Sequence, residues 1–81
     1  MPERAKRIGG FGELDDKAIC YWRTPEGVWM LYFPMCGAGN LARHTVTEHE
    51  DGTISVSPSI KVTGHPLERH GFLVRGEWND A

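Results

Sequence analysis

The chain has few of the residues and patterns that assign a sequence quickly to a class of protein. It contains two cysteines, Cys20 and Cys36, so at most one disulfide can form and no disulfide framework is available to its 81 residues. No apolar run approaches the roughly 20 residues that a membrane span needs. No apolar segment follows the basic start at residues 1–7, so we expect no signal peptide and a reducing, cytoplasmic location.

Charge excess and helical periodicity are also lacking. The formal net charge is -2 and the pI is about 6.0, which argues against general nucleic-acid binding because such proteins usually carry a basic face. No segment of about 11 or more residues shows helical spacing of its apolar positions. The glycines at 9–12 lack the Gly-Lys-Ser/Thr ending of a phosphate-binding loop.

Short aromatic and β-branched segments separated by turns are what the chain does have. Residues 17–23 and 28–33 predict the two arms of a hairpin, and Thr24-Pro25-Glu26-Gly27 predicts the turn between them. Both faces of the second arm are apolar. That arm should therefore be a central strand or be covered on both sides.

The rest of the sequence extends the β pattern. We predict a tight turn at 35–40 and a second hairpin around Asp51-Gly52. Pro58 should break the ladder of that hairpin, because proline cannot donate to it. Beyond it we expect a short strand at 60–63, a turn at Gly64-His65-Pro66 and a last strand at 71–75. No periodicity supports a helical turn at 67–70.

These elements predict one domain over residues 1–81, with a flexible or weakly ordered segment at 1–16. The expected fold class is mostly β, a small antiparallel sheet or sandwich of about five to six short strands. No internal repeat or linker divides the chain.

Three motifs in a fixed order point to a family. They are Phe33-Pro34-Met35-Cys36-Gly37, Ser57-Pro58-Ser59-Ile60, and Glu68-Arg69-His70-Gly71-Phe72. Over residues 28–77 the chain resembles an uncharacterised group of small bacterial and phage domains. Those domains carry a Cys-Pro-x-Cys-Gly knuckle, a Pro-Ser-Ile segment and a final Cys/His ligand pair. The resemblance implies a zinc-ribbon-like β domain, often phage-encoded and of unassigned activity.

The presumed zinc ligands of that family are only partly present. Phe33 stands at the first cysteine position, and no cysteine lies near His70, so Cys36 and His70 alone match ligand positions. A structural zinc site needs four ligands, which His44 and His65 could complete. The alternative, which we expect, is a site without cofactor in which hydrophobic packing replaces the metal.

A nucleophilic Cys36–His70 pair is a second chemical interpretation. A catalytic thiol needs a histidine or a helix N-terminus to lower its pKa, and the turn around Cys36 offers backbone N–H groups to an oxyanion. No third residue that would orient the histidine is evident, and 81 residues leave little room for a cleft. We therefore expect a protein that is not an enzyme.

The aromatic residues of the first hairpin have two interpretations. Trp22 and Trp29 either face each other within the core or, with Leu31 and Phe33, form an exposed surface for a protein partner. A single small sheet can cover only one apolar face of residues 28–33, so we expect a homodimer whose interface includes Trp29, Leu31 or Phe33.

The resulting hypothesis is a small binding protein, encoded by a phage or mobile element. It would inhibit or sequester a host defence component or its ligand. A structural zinc module and a small Cys36/His70-dependent enzyme are the alternatives.

Overall fold

The computed structural model describes residues 3–63 and 68–81, which form nine short strands and one turn of 3-10 helix at Phe11–Glu13. The strands are β1 (Glu3–Arg4), β2 (Lys6–Arg7), β3 (Cys20–Arg23), β4 (Trp29–Phe33), β5 (Gly37–Asn40), β6 (Thr45–Glu48), β7 (Ile54–Thr63), β8 (Glu68–Val74) and β9 (Glu77–Asp80). One sheet has the order β2-β3-β4-β5, and the other has the order β1-β9-β8-β7-β6. The prediction of a mostly β fold is confirmed. The zinc-ribbon-like description stays a prediction.

The main core lies between the two sheets. Side chains alternate between the faces of a strand, so every second residue of the longer strands points inward. Phe33 of one sheet packs edge-to-face on Trp78 of the other, with ring centroids 4.6 Å apart. The four-stranded sheet contributes Tyr21, Leu31 and Phe33, and the five-stranded sheet contributes Ile54, Val56, Ile60, Leu73 and Trp78. As predicted, Ile54 and Val56 point inward, and Trp78 is buried.

One side of this sandwich is closed by the chain itself. β1 belongs to the five-stranded sheet and β2 to the four-stranded sheet, and only Ala5 separates them. The Ala5 N–H donates to the Gly76 carbonyl at 2.8 Å, and the Lys6 N–H donates to the Ile19 carbonyl at 2.8 Å. The sequence predicted no strand at 1–16. Two-residue strands are too short to show alternation, and their partners lie far along the chain.

The outer face of the four-stranded sheet is covered as well. Ile8, Cys20 and Trp22 form a second buried cluster there. The partly buried side chains around it are Leu14, Ala18, Met30 and Tyr32. β4 lies between β3 and β5 and is apolar on both faces. The prediction that it is a central strand covered on both sides is confirmed.

The predicted turn at 35–40 is wrong for most of its length. The turn itself ends early, where the Cys36 N–H donates to the Phe33 carbonyl at 3.1 Å, and Gly37–Asn40 then pairs antiparallel with β4. Glycine and asparagine are depleted in strands, so the composition indicated a loop. Hydrogen bonds to the backbone of β4 hold these residues in extended conformation, although their own strand preference is low.

The extent of β7 and β8 differs from the prediction. The ladders break around Pro58 as predicted, since β6 pairs only as far as Ser57 and the register with β8 shifts between Val56 and Ile60, but β7 continues through Pro58 to Thr63. The missing proline N–H therefore interrupts no ladder bond. Residues 68–70 belong to strand β8, and the predicted turn at 64–66 lies outside the described residues, as does Leu67.

Candidate functional site

A cavity of about 230 Å³ opens on the side of the sandwich opposite the β1–β2 crossing, between β5 and the second half of β7. The chain passes from one sheet to the other there through residues 41–44. The described lining consists of residues 36–41 and 60–63 with Leu31 and His44. We call this cavity and its two strand edges the seam.

Two glycines on the inner face of β5 create the cavity. Directly opposite residues of neighbouring strands point to the same face. Gly37 lies opposite Phe33 and Gly39 lies opposite Leu31, and both partners are core residues. A Cβ added at Gly39 would meet no atom within 4 Å, so the space that a side chain would fill is open.

β5 presents outward-pointing backbone groups along the seam. It is the last strand of its sheet, and the Leu41 N–H donates to the Trp29 carbonyl at 2.9 Å. Hydrogen-bonded and non-hydrogen-bonded pairs alternate along an antiparallel ladder. Gly39 therefore bonds to β4, whereas the N–H and C=O groups of Ala38 and Asn40 point away from it.

The second half of β7 presents a facing set of backbone groups. The Ala81 N–H donates to the His70 carbonyl at 2.8 Å, so the backbone groups of His70 point toward β9. By the same alternation Ile60 bonds to β8, and the backbone groups of Lys61 point to the opposite edge. Within the described chain, β6 does not continue beyond Ser57 to cover that edge.

His44 lies at one end of the cavity with an unsatisfied ring nitrogen. Its Nε2 lies 3.3 Å from the Ser59 carbonyl oxygen, which can only accept, so Nε2 carries the proton of that hydrogen bond. Nδ1 is buried and has no hydrogen-bond partner among the described residues. A buried acceptor without a donor costs free energy.

The remaining lining is mostly apolar with a single formal charge. Cys36 packs partly against the main core. Lys61 carries the only formal charge among the described lining residues, and its Nζ lies 3.5 Å from a Glu68 carboxylate oxygen on the exposed surface. The volume of about 230 Å³ is below the roughly 300 Å³ at which sites for drug-sized ligands begin.

The three presumed zinc ligands that the structure describes, Cys36, His44 and His70, do not form a group that could hold a metal ion. His65 lies outside the described residues. Within the described part, no three His, Cys, Asp or Glu side chains form a group that could hold a metal ion. His44 and His70 do approach the same residue, but His70 contacts the Ser59 hydroxyl at 2.9 Å and His44 contacts the carbonyl. The described donors therefore do not fit a four-ligand zinc site.

The structure also separates Cys36 from His70. His70 lies opposite Lys61 on β7, so its side chain is on the exposed face of the five-stranded sheet. Cys36 lies on the inner side, in the cavity that Ile60 also lines. The histidine that shares a cavity with Cys36 is His44.

Three of the four predicted partner-binding residues are buried within the chain. Trp22 and Leu31 are 4% exposed and Phe33 is 1% exposed, so they offer no surface to a partner. Trp29 is half-buried, with the guanidinium groups of Arg7 and Arg23 over its ring at 5.2 and 5.7 Å.

The expected contact between the two tryptophans is absent from the first hairpin. Trp22 lies opposite Met30 and Trp29 lies opposite Arg23, which places the two indoles on different faces. Trp22 instead packs edge-to-face with Phe11 at 5.9 Å.

A comparison with protein-family models found no match, and searches of curated proteins and of solved structures found none either. Within the described residues, no helix has the length and apolar character to cross a membrane.

The residues that define the seam were not predicted as a site. Gly39 and Ala38 were assigned to a turn, and Lys61 was an ordinary strand residue. The one available signal was the alternation of glycine at 37 and 39 directly after a strong apolar strand. That pattern indicates an edge strand with an empty inner face.

Proposed function

We propose that this chain is a small non-catalytic binding protein whose ligand occupies the seam. The observation that carries the proposal is the cavity itself, formed where β5 has glycine at two inward positions. The cavity opens to solvent beside the exposed strand β5, and a ligand that fills it would remove its mostly apolar lining from water.

The wider setting that we propose is a phage or mobile-element accessory protein that inhibits or sequesters a host defence component or its ligand. The resemblance to small bacterial and phage domains supports this setting. An 81-residue domain whose candidate site is a modest cavity suits occlusion of a partner better than turnover of a substrate.

Filling the cavity tests the proposal. Gly39→Val places a side chain in open space at a position without positive φ. Gly12→Val is the matched control, since Gly12 also has no atom within 4 Å of an added Cβ and lies in the 3-10 helix, away from the seam. We expect the wild type and Gly12→Val to capture the same protein from a bacterial lysate and Gly39→Val to lose it. Equal capture by all three would contradict a seam ligand.

A thiol-dependent activity is the second candidate, because Cys36 and His44 line the same cavity. Cys36→Ser discriminates between the two. The serine keeps the size of the side chain, so a binding protein should retain its ligand. Loss of a reaction with retained binding would favour the enzyme.

A structural zinc module is tested directly by elemental analysis. We expect less than one zinc per chain and no change in the melting temperature with chelator. A stoichiometric zinc would make Cys36 and His70 the first ligands to substitute, since metal binding would then contribute to folding.

A further inference from the structure

We propose that the seam binds an extended peptide segment of a partner protein, which adds as a strand to the edge of β5 and also faces the open edge of β7. This inference rests on the proposed function and names the chemistry of the ligand. Strand addition to an exposed sheet edge is a recurring mode of peptide recognition.

Backbone groups on both sides of the seam favour a peptide as the occupant. On β5 the N–H and C=O groups of Ala38 and Asn40 point outward, and on β7 those of Lys61 do so. A peptide in extended conformation has donors and acceptors on both of its edges. It can therefore bond to β5 along one edge and to β7 along the other.

The cavity matches the side chains of such a strand. Alternate residues of an added strand would point to the inner face, as Gly37 and Gly39 do. The apolar walls formed by Leu31, Leu41 and Ile60 favour small aliphatic side chains at these positions. Gly39, which has no Cβ, allows the close approach that a larger residue would prevent.

The charged side chains near the cavity do not point into it. Lys61 lies on the outer face of its sheet and pairs with Glu68 at 3.5 Å, and no other formal charge lies in the described lining. Charge complementarity therefore favours a segment that is uncharged at the positions facing the cavity.

Selection from a library of random 12-residue peptides displayed on bacteria would test this inference. The library is selected on the wild-type chain after depletion on folded Gly39→Val. We expect enriched peptides to alternate small aliphatic residues with polar ones. A synthetic copy should bind Gly39→Val at least tenfold more weakly and Gly12→Val normally. Failure to enrich any such peptide would overturn the inference.

Amide hydrogen exchange then locates the peptide. Bound peptide should slow the exchange of the Ala38, Asn40 and Lys61 amides at least tenfold. The Gly39 and Val62 amides are internal controls, because both already bond to neighbouring strands. Protection at Ala38 and Asn40 alone would overturn the two-edged arrangement.

N-methylation of the peptide provides an independent readout. Methyl groups on one alternating set of amides remove the donors to β5, and methyl groups on the other set remove the donors to β7. We expect each set to weaken binding at least tenfold. A peptide held only by its side chains would tolerate both methylation patterns. Unchanged binding of both methylated peptides would therefore overturn strand addition.

Other occupants give distinguishable results. Uncharged heterocyclic fragments could shift the NMR signals of the cavity amides when no peptide does so. That result would retain the proposed binding site and overturn the peptide as its occupant. A dimer whose formation protects the Ala38 amide would make a second copy the occupant. Absence of any ligand, whether fragment, peptide or copy, would overturn both proposals.

Discussion

At the scale of single residues, the glycines at 39 and 71 show how one residue type can have opposite structural roles. A Cβ at Gly39 would enter the open cavity, whereas a Cβ at Gly71 would overlap the Asn79 carbonyl oxygen and lie 2.9 Å from Cζ2 of Trp78. The first glycine makes space for a ligand. The second allows β8 and β9 to approach around the most deeply buried tryptophan.

Gly71→Ala should therefore destabilise the fold by about 1–3 kcal/mol, since the overlap is with backbone that cannot rotate away. Gly39→Ala is the control and should change the free energy of unfolding by less than about 0.5 kcal/mol or stabilise the fold slightly. Urea unfolding of both variants measures the difference. Equal midpoints would show that β9 does not pack against β8 as described.

At the scale of elements, the hairpin of β6 and β7 depends on its turn. Gly52 has φ of +86° and donates its N–H to the His49 carbonyl at 3.0 Å. The Asp51 carboxylate accepts from both the N–H and the hydroxyl of Thr53, at 3.0 and 2.6 Å. The turn that the sequence predicted at Asp51-Gly52 is confirmed, and so is the positive φ.

Gly52→Val should destabilise the chain by about 1–3 kcal/mol, because a β-branched residue is strained in the left-handed region. Gly52→Asn is the matched control and should cost less, since asparagine tolerates that region. The expected order of melting temperatures is wild type, then Asn, then Val. A valine variant as stable as the wild type would contradict this turn geometry.

Sequence reasoning predicted the elements whose own residues determine them. β4 was recognisable because five consecutive apolar residues need cover on both faces, and both hairpin turns had glycine at the required position. β1, β2, β5 and β9 were missed, so nine strands form where about five to six were expected, and β9 follows the strand that was predicted to be the last. The missed residues have little strand preference, and pairing with β9, β3, β4 and β8, respectively, holds them in extended conformation.

The candidate site was less predictable than the fold. Cys36 and His44 were singled out as metal ligands, and both line the cavity, but the feature that makes the cavity is the absence of side chains at 37 and 39. A missing side chain has chemical meaning only when its neighbours are known. Which backbone groups point outward likewise depends on a register that pairs residues 10 or more positions apart, such as Met30 with Asn40 and Ile60 with Gly71.

At the scale of the whole molecule, a charged cluster ties the first strand to the last two. Nη2 of Arg69 on β8 donates to Glu3 on β1 at 2.6 Å and to Asp80 on β9 at 3.1 Å. Nε1 of Trp78 donates to the same Asp80 carboxylate at 2.8 Å. These hydrogen bonds, first from Trp78 and then from Arg69, hold the pKa of Asp80 below its usual value.

The charged cluster should make the stability of the fold depend on pH in the acid range. Folding lowers the pKa of Asp80, so the stabilisation that this carboxylate contributes is fully present above its unfolded-state pKa of about 3.9. That stabilisation is lost as pH falls through the lower pKa of the folded state. Asp80→Asn should lower the melting temperature at pH 6, and the difference from wild type should shrink toward pH 2. Glu50→Gln, an exposed carboxylate in the turn, should show no such trend. A constant difference for Asp80→Asn would refute the linkage.

The oligomeric state follows from how the chain covers its own apolar surface. A homodimer through Trp29, Leu31 or Phe33 was expected because one small sheet cannot cover both faces of β4. The structure removes that reason, since the five-stranded sheet covers one face and residues 8–22 cover the other. The exposed apolar side chains that remain are dispersed, with Phe72 and Val74 on β8 as the only adjacent pair among the described residues.

We therefore expect a monomer of 9.1 kDa by light scattering at tens of micromolar. The pair at Phe72 and Val74 is too small to hold a dimer, because stable interfaces bury about 800 Å² on each partner. Phe72→Ser should leave the mass unchanged and is the control for association through that face. A dimeric mass that Phe72→Ser converts to monomer would contradict this expectation and place the interface on the outer face of the five-stranded sheet. A dimer that persists in Phe72→Ser and is lost in Ala38→Pro would place it at β5, because proline there removes an outward N–H without breaking a bond to β4.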